Sequence, residues 1–355
     1  MNDSASPFSQ AADSSLPPAS SVNPTPASAA SAAEALTIAG QTILPGKRLR
    51  LDVPVARLTT GNMLSLPVTV IHGRRPGPRL WLSAAIHGDE LNGVEIIRRV
   101  IKPLRSTHLR GLIIAVPVVN VFGLLEQSRY LPDRRDLNRS FPGSARGSLA
   151  ARLASLFMKE VVSQCTHGID LHTAAIHRIN LPQIRANLQD PETYAVARAF
   201  GAPIMIHSAV RDGSLRQAAA KRHIPTLLYE GGEALRFDET AIQTGVAGIL
   251  RVMATLGMIQ TQESSVPVSQ AESHRTKWVR ASRSGIWHRE VELGQKVIQR
   301  QRIGFIADTF GDKPAPLRSP LRGIVIGHSQ NPLVNQGDAL IHVAAVDVEQ
   351  EGKGS

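Results

Sequence analysis

Ala84-Ala85-Ile86-His87-Gly88-Asp89-Glu90 stands where the apolar run Leu80-Trp81-Leu82 breaks off and a helical pattern begins. Beyond Glu90, the apolar residues Leu91, Val94, Ile97, Val100 and Ile101 recur at helical spacing, and Pro103 closes the helix. The stretch therefore reads as a strand-to-helix turn. His87 and Glu90 sit in H-x-x-E spacing at that turn, which lets an imidazole and a carboxylate converge on one Zn²⁺. Alone the spacing is a weak signal, because a His/Glu pair also suits a solvated helix start.

Three later segments strengthen it. Asp136-Leu137-Asn138-Arg139 lies in a polar loop, Asp170-Leu171-His172 ends a strand-like run, and Tyr229-Glu230-Gly231-Gly232 ends another. A catalytic zinc keeps three protein ligands and an open position, and His87, Glu90 and His172 supply that count. Asp170 lies two residues before His172, so on a strand both side chains share a face, as suits a carboxylate orienting a ligating imidazole.

Outward from this centre the chain alternates strand and helix. Toward the N-terminus, Leu49–Val53 and Leu66–Ile71 are short β-type runs separated by the turn signal Thr60-Gly61-Asn62, and Arg74–Pro78 is expected to turn the chain into the strand that delivers His87. Leu112–Val118 is a continuous apolar run, as in a strand buried on both faces of a parallel sheet. A long loop spans Asn120–Gly147, and long structureless loops usually carry function. Then follow a helix marked by Leu149, Leu153, Leu156, Phe157 and Val161, a strand over Gly168–His172, a helix over Pro191–Phe200 and a strand over Pro203–Ile206. A helix over Leu215–Arg222, a strand over Thr226–Tyr229 and a helix over Glu239–Leu256 complete the series. This order predicts an α/β fold, a mixed and mostly parallel sheet with helices on both faces. Ligands of such sheets lie outside the carboxyl ends of strands, where His87, His172 and Glu230 all fall.

The ends differ in composition. Residues 1–36 are Ser, Ala and Pro with few large apolar side chains, which predicts a disordered tail without the marks of a secretory or mitochondrial leader. After a catalytic domain at 37–259, residues 260–275 read as a polar linker and 276–346 as a small all-β domain, with a tail at 347–355. In the β domain Gly285-Ile286-Trp287 and Gly323–Gly327 look like two related hairpin elements, reminiscent of a lipoyl-type sandwich, but no lysine stands at a hairpin tip to carry a group.

Composition excludes several classes. With 355 residues, 42% hydrophobic and 19% charged, the chain is globular, and no uninterrupted apolar run of about 18 residues is present to span a membrane. One cysteine, Cys165, rules out an internal disulfide or a Cys-rich zinc module, and its helical setting predicts a buried packing role. The net charge of +11 suits nucleic acid, a membrane surface or an anionic substrate. The basic residues are scattered and aromatics make up only 4%, so an anionic small molecule is the expected partner, with neither nucleic acid nor membrane; a homo-oligomer is left open. Arg98-Arg99 and Arg134-Arg135 read as solvated surface or as a positive field for carboxylates. His177, His207, His223, His288, His328 and His342 have no metal-ligand spacing.

The segments around His87, Asp136, His172 and Glu230, in this order, resemble the zinc carboxypeptidase-like succinylglutamate desuccinylase/aspartoacylase family, well over Leu80–Glu233 and more loosely to the C-terminus. The resemblance implies one Zn²⁺ per chain in a cytoplasmic deacylase that cleaves the amide of a small, carboxylate-bearing N-acylated amino acid. It further implies that Asp136 orients His87, that Glu230 is the general base with Glu233 as the competing choice, and that Arg129 stabilises the oxyanion, with Arg134 or Arg135 as runner-up. Arg139, with Asn138 beside it, would fork around the substrate carboxylate. The C-terminal β segment would narrow access to the site. A carboxypeptidase acting on peptides with the same residues is the alternative, and a binding protein on a retired hydrolase fold a third reading.

Overall fold

The computed structural model describes residues 33–260 and 269–346. The expected tails and the centre of the expected linker, at 1–32, 261–268 and 347–355, lie outside the described residues. The chain opens with a small hairpin of β1 (Leu36–Ile38) and β2 (Gln41–Ile43), so the segment expected as tail gives way to a strand at Leu36. Two long antiparallel strands follow, β3 (Arg48–Arg57) and β4 (Met63–His72). The strand delivering His87 is β5 (Arg75–Ala84), and the Arg-Pro-Gly-Pro segment expected as a turn is its irregular first half. A register shift between Arg75 and Arg79 absorbs the prolines, which cannot donate to a regular ladder.

Next come α1 (Asn92–Ile101), β6 (Arg110–Val116), the short α2 (Val121–Leu125), α3 (Leu149–Glu160), β7 (His167–Ala174), β8 (Arg178–Ala186), α4 (Pro191–Phe200), β9 (Ile204–His207), α5 (Leu215–Ala220), β10 (Thr226–Glu233) and α6 (Glu239–Thr255). At the centre β6, β5, β7 and β10 run parallel in that order, flanked by the antiparallel β4 and β8.

Strand periodicity sorts the core into two layers. Side chains alternate across a strand, so Trp81, Leu112, Ile114 and Val116 face α3 and α5, while Leu80, Leu82, Ile113 and Ala115 face α1, α4 and α6. Every residue of β7 is buried, as for a central parallel strand covered on both faces. Gly168 on β7 is forced by packing, since a Cβ there would lie 2.0 Å from the Trp81 ring. Local signals place the helix ends. Asp190 caps α4 by accepting from the Thr193 amide, Pro191 occupies the first turn, and Gly201 closes the helix in the left-handed region.

The C-terminal strands are β11 (Ala271–Ser273), β12 (Thr276–Arg280), β13 (Gly285–Arg289), β14 (Lys296–Val297), β15 (Arg302–Ala307), β16 (Ala315–Arg318), β17 (Gly323–Ser329), β18 (Leu333–Val334) and β19 (Ala339–Ala345). They are all β, yet they divide unexpectedly. β16, β15, β13 and β18 make a separate four-stranded sheet, whereas β17, β19 and β12 continue the central one into a sheet of 13 strands, because β17 pairs antiparallel with β8. The stretches expected as two related hairpins thus belong to different sheets. β11, inside the segment expected as linker, pairs in parallel with β9. Its three residues, Ala-Glu-Ser, carry no apolar alternation, and the β9 edge alone makes them a strand.

Candidate active site

Adjacent parallel strand ends carry the central group. β5 and β7 pair Ala84 with Leu171, which brings the turn after β5 beside His172. Ala85 adopts a left-handed conformation, φ 47°, that turns the chain out of the sheet, and the amides of Val119 and Asn120 bond back to the carbonyls of Ala84 and Ala85. Gly88 packs directly on α2. A Cβ at Gly88 would fall 1.9 Å from the Gly123 carbonyl carbon, so a side chain would push His87 out of place.

His87, Glu90 and His172 are all buried, and their ligand atoms lie within 4.8 Å of one another. His87 Nδ1 is 2.7 Å from Glu90 Oε1, and His172 Nδ1 is 2.8 Å from Glu90 Oε2. The opposite ring nitrogens face carboxylates: His87 Nε2 lies 3.1 Å from Asp136 Oδ1, and His172 Nε2 lies 2.8 Å from Asp170 Oδ2. Ser83 Oγ donates to the other oxygen of Asp170 at 2.8 Å and holds that carboxylate in turn. Such partners place the ring proton on Nε2 and aim the Nδ1 lone pair inward. Two inward lone pairs and a carboxylate meeting in a buried space need positive charge between them. The donor set therefore fits a metal ion.

The same carboxylates shift the titration of the group. Burial works to lower the pKa of His87, but Glu90 and Asp136 outweigh it and raise it; for His172, Asp170 and Glu90 outweigh burial by more. Burial would raise Glu90, yet the two imidazoles hold it well below the usual carboxylate range. Asp136 is likewise held low against burial, by His87 and then by Arg129.

Arg129 reaches this group from the long loop. Its Nη1 lies 3.3 Å from Glu90 Oε1, and its Nη2 donates to Asp136 Oδ2 at 3.0 Å. Arg134 and Arg135 do not line the cavity that opens beside the group, whereas Arg129, Asn138, Arg139 and Glu230 do. The cavity measures about 290 Å³. Asn138 is buried and its Oδ1 accepts from the Leu215 amide at 2.9 Å, so it also anchors the start of α5. Arg139 Nη1 donates to the Asn138 carbonyl. Glu230, paired with His172 on the neighbouring strand, also lines the cavity, with one oxygen accepting from Asn180 Nδ2 at 2.7 Å and the other 3.5 Å from Arg185 Nε. Glu233 is turned away from the cavity, where it accepts from the His177 amide at 3.1 Å.

A family model for the succinylglutamate desuccinylase/aspartoacylase catalytic domain matches residues 76–256. The chain belongs to the succinylglutamate desuccinylase/aspartoacylase family. The N-alpha-acetyl-L-2,4-diaminobutyric acid deacetylase of Halomonas elongata is 28% identical over 298 residues, 79% of this chain and 86% of the relative. A succinylglutamate desuccinylase of Pseudomonas aeruginosa is 32% identical over 152 residues, 39% of this chain and 43% of the relative. Among solved structures, a succinylglutamate desuccinylase/aspartoacylase from Rhodobacter sphaeroides superposes with a TM-score of 0.76 at 26% identity, covering 85% of this chain and 96% of that one. The product-bound ectoine utilization protein of Ruegeria pomeroyi shares the fold, with a TM-score of 0.75 at 21% identity over 84% of this chain and 94% of its own.

In this desuccinylase/aspartoacylase family member, the sequence pattern missed several cavity residues. Arg178, Asn180 and Arg185 stand on β8, where Pro182 and interspersed polar residues hide the strand alternation. Arg211 and Arg216 flank the start of α5, and Trp278 and His342 come from the paired C-terminal strands β12 and β19. Nothing local marks His342, because its place depends on β17 docking against β8. His177 and His207 do not line the cavity; His207 stacks on His274 with centroids 5.3 Å apart.

Proposed function

We propose that this protein is a zinc-dependent hydrolase that cleaves the amide bond of a small N-acylated amino acid. The observation that carries the reading is the convergence of His87 Nδ1, His172 Nδ1 and Glu90 beside a cavity that Glu230 also lines. Two imidazoles and a carboxylate without a thiolate form the donor set of a catalytic rather than a structural zinc site. Bound there, Zn²⁺ would supply a Lewis acid and lower the pKa of its water to about 7.

The remaining work falls to side chains. Asp136 and Asp170 hold the two imidazoles in the tautomer that presents Nδ1. Glu230, oriented by Asn180, accepts the proton of the attacking water and returns it to the departing nitrogen. Arg129, beside Glu90, directs its guanidinium to the carbonyl oxygen as negative charge develops there. Arg139 receives the α-carboxylate at the cavity wall near the loop that carries Asn138.

A deacetylase and a desuccinylase among the relatives support removal of an acyl group. The small volume and the wall contributed by Trp278 and His342 favour such a substrate over a peptide, which would need an open groove. Metal analysis combined with hydrolysis assays on N-acetyl, N-succinyl and longer N-acyl amino acids, with dipeptides alongside, tests the reading. Release of a free amino acid from at least one N-acyl compound, in preference to peptides, is expected. Peptide cleavage alone would assign the site to a carboxypeptidase.

A further inference from the structure

A second cavity, of about 330 Å³, continues the first along the same face of the sheet. On β10, Glu230 and Leu228 line the first cavity and Thr226 lines the second. On β8, Arg185 lines the first, and Asn187, just past the strand end, lines the second. Leu228 pairs with Arg185, and residues two apart on a strand share a face, so the cavities lie end to end along two neighbouring strands. The loop before α5 crosses in the same way, with Ser208 and Ala209 in the first cavity and Val210 in the second. From Glu230 to Thr226 the strand runs about 13 Å.

Among the described residues, Arg216 is the one side chain that lines both cavities. It is held from one side. Its Nη2 donates to Ser208 Oγ and to the Ala209 carbonyl, both at 3.1 Å, while Nη1 is buried with no hydrogen-bond partner. Burial, and then Arg185, lower its pKa to about 10, which still leaves it charged at neutral pH. A cation with an unused donor, anchored to an exposed loop residue, is a divider that a passing anion can draw aside.

Beyond Arg216 the surroundings change. Asn187, Glu192, Ala220 and His223 line the second cavity and are exposed, so it opens to solvent. Asp190 and Glu192 bring negative charge there. An anion that passes Arg216 is therefore released rather than retained, which suits a passage better than a binding site.

Hydrolysis supplies such an anion. The amide C–N bond breaks, the water oxygen bonds to the carbonyl carbon, and both water protons end on the nitrogen as the acid ionises. The products are an amino acid, still held on Arg139, and an acyl carboxylate. With a single opening they would have to leave in file.

We propose that the second cavity is the route by which the acyl carboxylate leaves, with Arg216 as its gate, while the amino acid still occupies the first cavity. The proposal rests on the deacylase reading and extends it to the order of product release, a step that limits turnover in many enzymes.

Product inhibition on the zinc-loaded full chain tests it, with the preferred N-acyl amino acid as substrate. The product that leaves first inhibits noncompetitively against substrate, and the one that leaves last inhibits competitively. The acid is expected to be noncompetitive and the amino acid competitive. The double variant Val210→Phe/Ala220→Phe fills the second cavity from exposed positions and should interchange the two patterns, because the acid then waits for the amino acid. Lys221→Phe, beside Ala220 but outside the cavity, should keep the wild-type pattern. A competitive acid in the wild type, or an unchanged pattern in the double variant, would overturn the proposal. Stopped-flow binding of acetohydroxamate, followed by intrinsic tryptophan fluorescence, reads the passage without turnover. The double variant should slow association and dissociation by the same factor and leave Kd unchanged, whereas Arg216→Ala should quicken both. Rates unchanged in both variants would overturn the passage. If no N-acyl compound is hydrolysed, the deacylase reading fails separately, and these rates alone decide whether the passage exists.

Discussion

Glu90 and Glu230 are two carboxylates with different surroundings, and substitutions should separate them. Glu90 is buried between two imidazoles, whereas Glu230 keeps a face toward the cavity and bonds to Asn180. Glu230→Gln keeps the shape but cannot accept a proton, so kcat should fall by about 10²- to 10⁴-fold while zinc stays bound. Glu90→Gln should weaken metal binding as well. Measuring zinc content and kcat on both variants distinguishes the roles; a Glu230→Gln enzyme with normal turnover would move the base elsewhere. Arg139 makes a different prediction, because a fork that holds a carboxylate in both ground and transition state contributes uniform binding. Arg139→Ala should raise KM and leave kcat nearly intact, and steady-state kinetics on the preferred substrate would expose an unchanged KM. That these residues come together at one site was legible in sequence because Glu90 and Glu230 stand just past or at the ends of β5 and β10, and Arg139 lies in a short polar motif of the long loop. Asn180, Arg185 and His342 were not legible, since no short motif surrounds them and their positions come from strand pairing across long stretches of chain.

At the scale of elements, alternation and helical spacing located β6, β7, α1 and α6 closely, because these are long or fully buried and their patterns are strong, and only the apolar second half of β5. β8 was missed for a physical reason. It is crossed by Pro182, pairs antiparallel with β10 and carries polar residues toward the cavity, so it reads as neither a buried nor an amphipathic strand. The long loop after β6 also holds more structure than expected, with α2 and a turn of 3₁₀ helix at Leu137–Arg139 that Asp136 caps. Tight element packing yields its own test. Gly168→Ala would set a Cβ 2.0 Å from the Trp81 ring, where the parallel strands β5 and β7 pair Trp81 with Gly168. We expect a loss of about 1–3 kcal/mol or more in denaturant unfolding, the cost of overpacking a filled core. Wild-type stability in that variant would mean that the Trp81 ring has room to move.

Over the whole molecule, the sheet is shared between the two halves of the chain. A C-terminal domain that merely shapes the mouth of the site would be removable, but β17 completes the β8 edge and Ile326 and Ala344 pack on Ile204 and Ile206. Ending the chain after residue 260 would leave that edge and apolar cluster bare. Such a chain should therefore aggregate or unfold well below the full protein, read by thermal unfolding and light scattering; a stable, monodisperse truncation that keeps the parent melting temperature would contradict a shared sheet. The same continuity explains why a C-terminal histidine reaches a cavity organised around His87. Among the described residues no helix is long and apolar enough to cross a membrane. The most direct test of the zinc assignment is elemental analysis of the purified full-length protein beside His87→Ala and His172→Ala. About one Zn²⁺ per wild-type chain, with loss of the metal and of hydrolysis in both folded variants, is the expected result. Full metal content in both variants would contradict it.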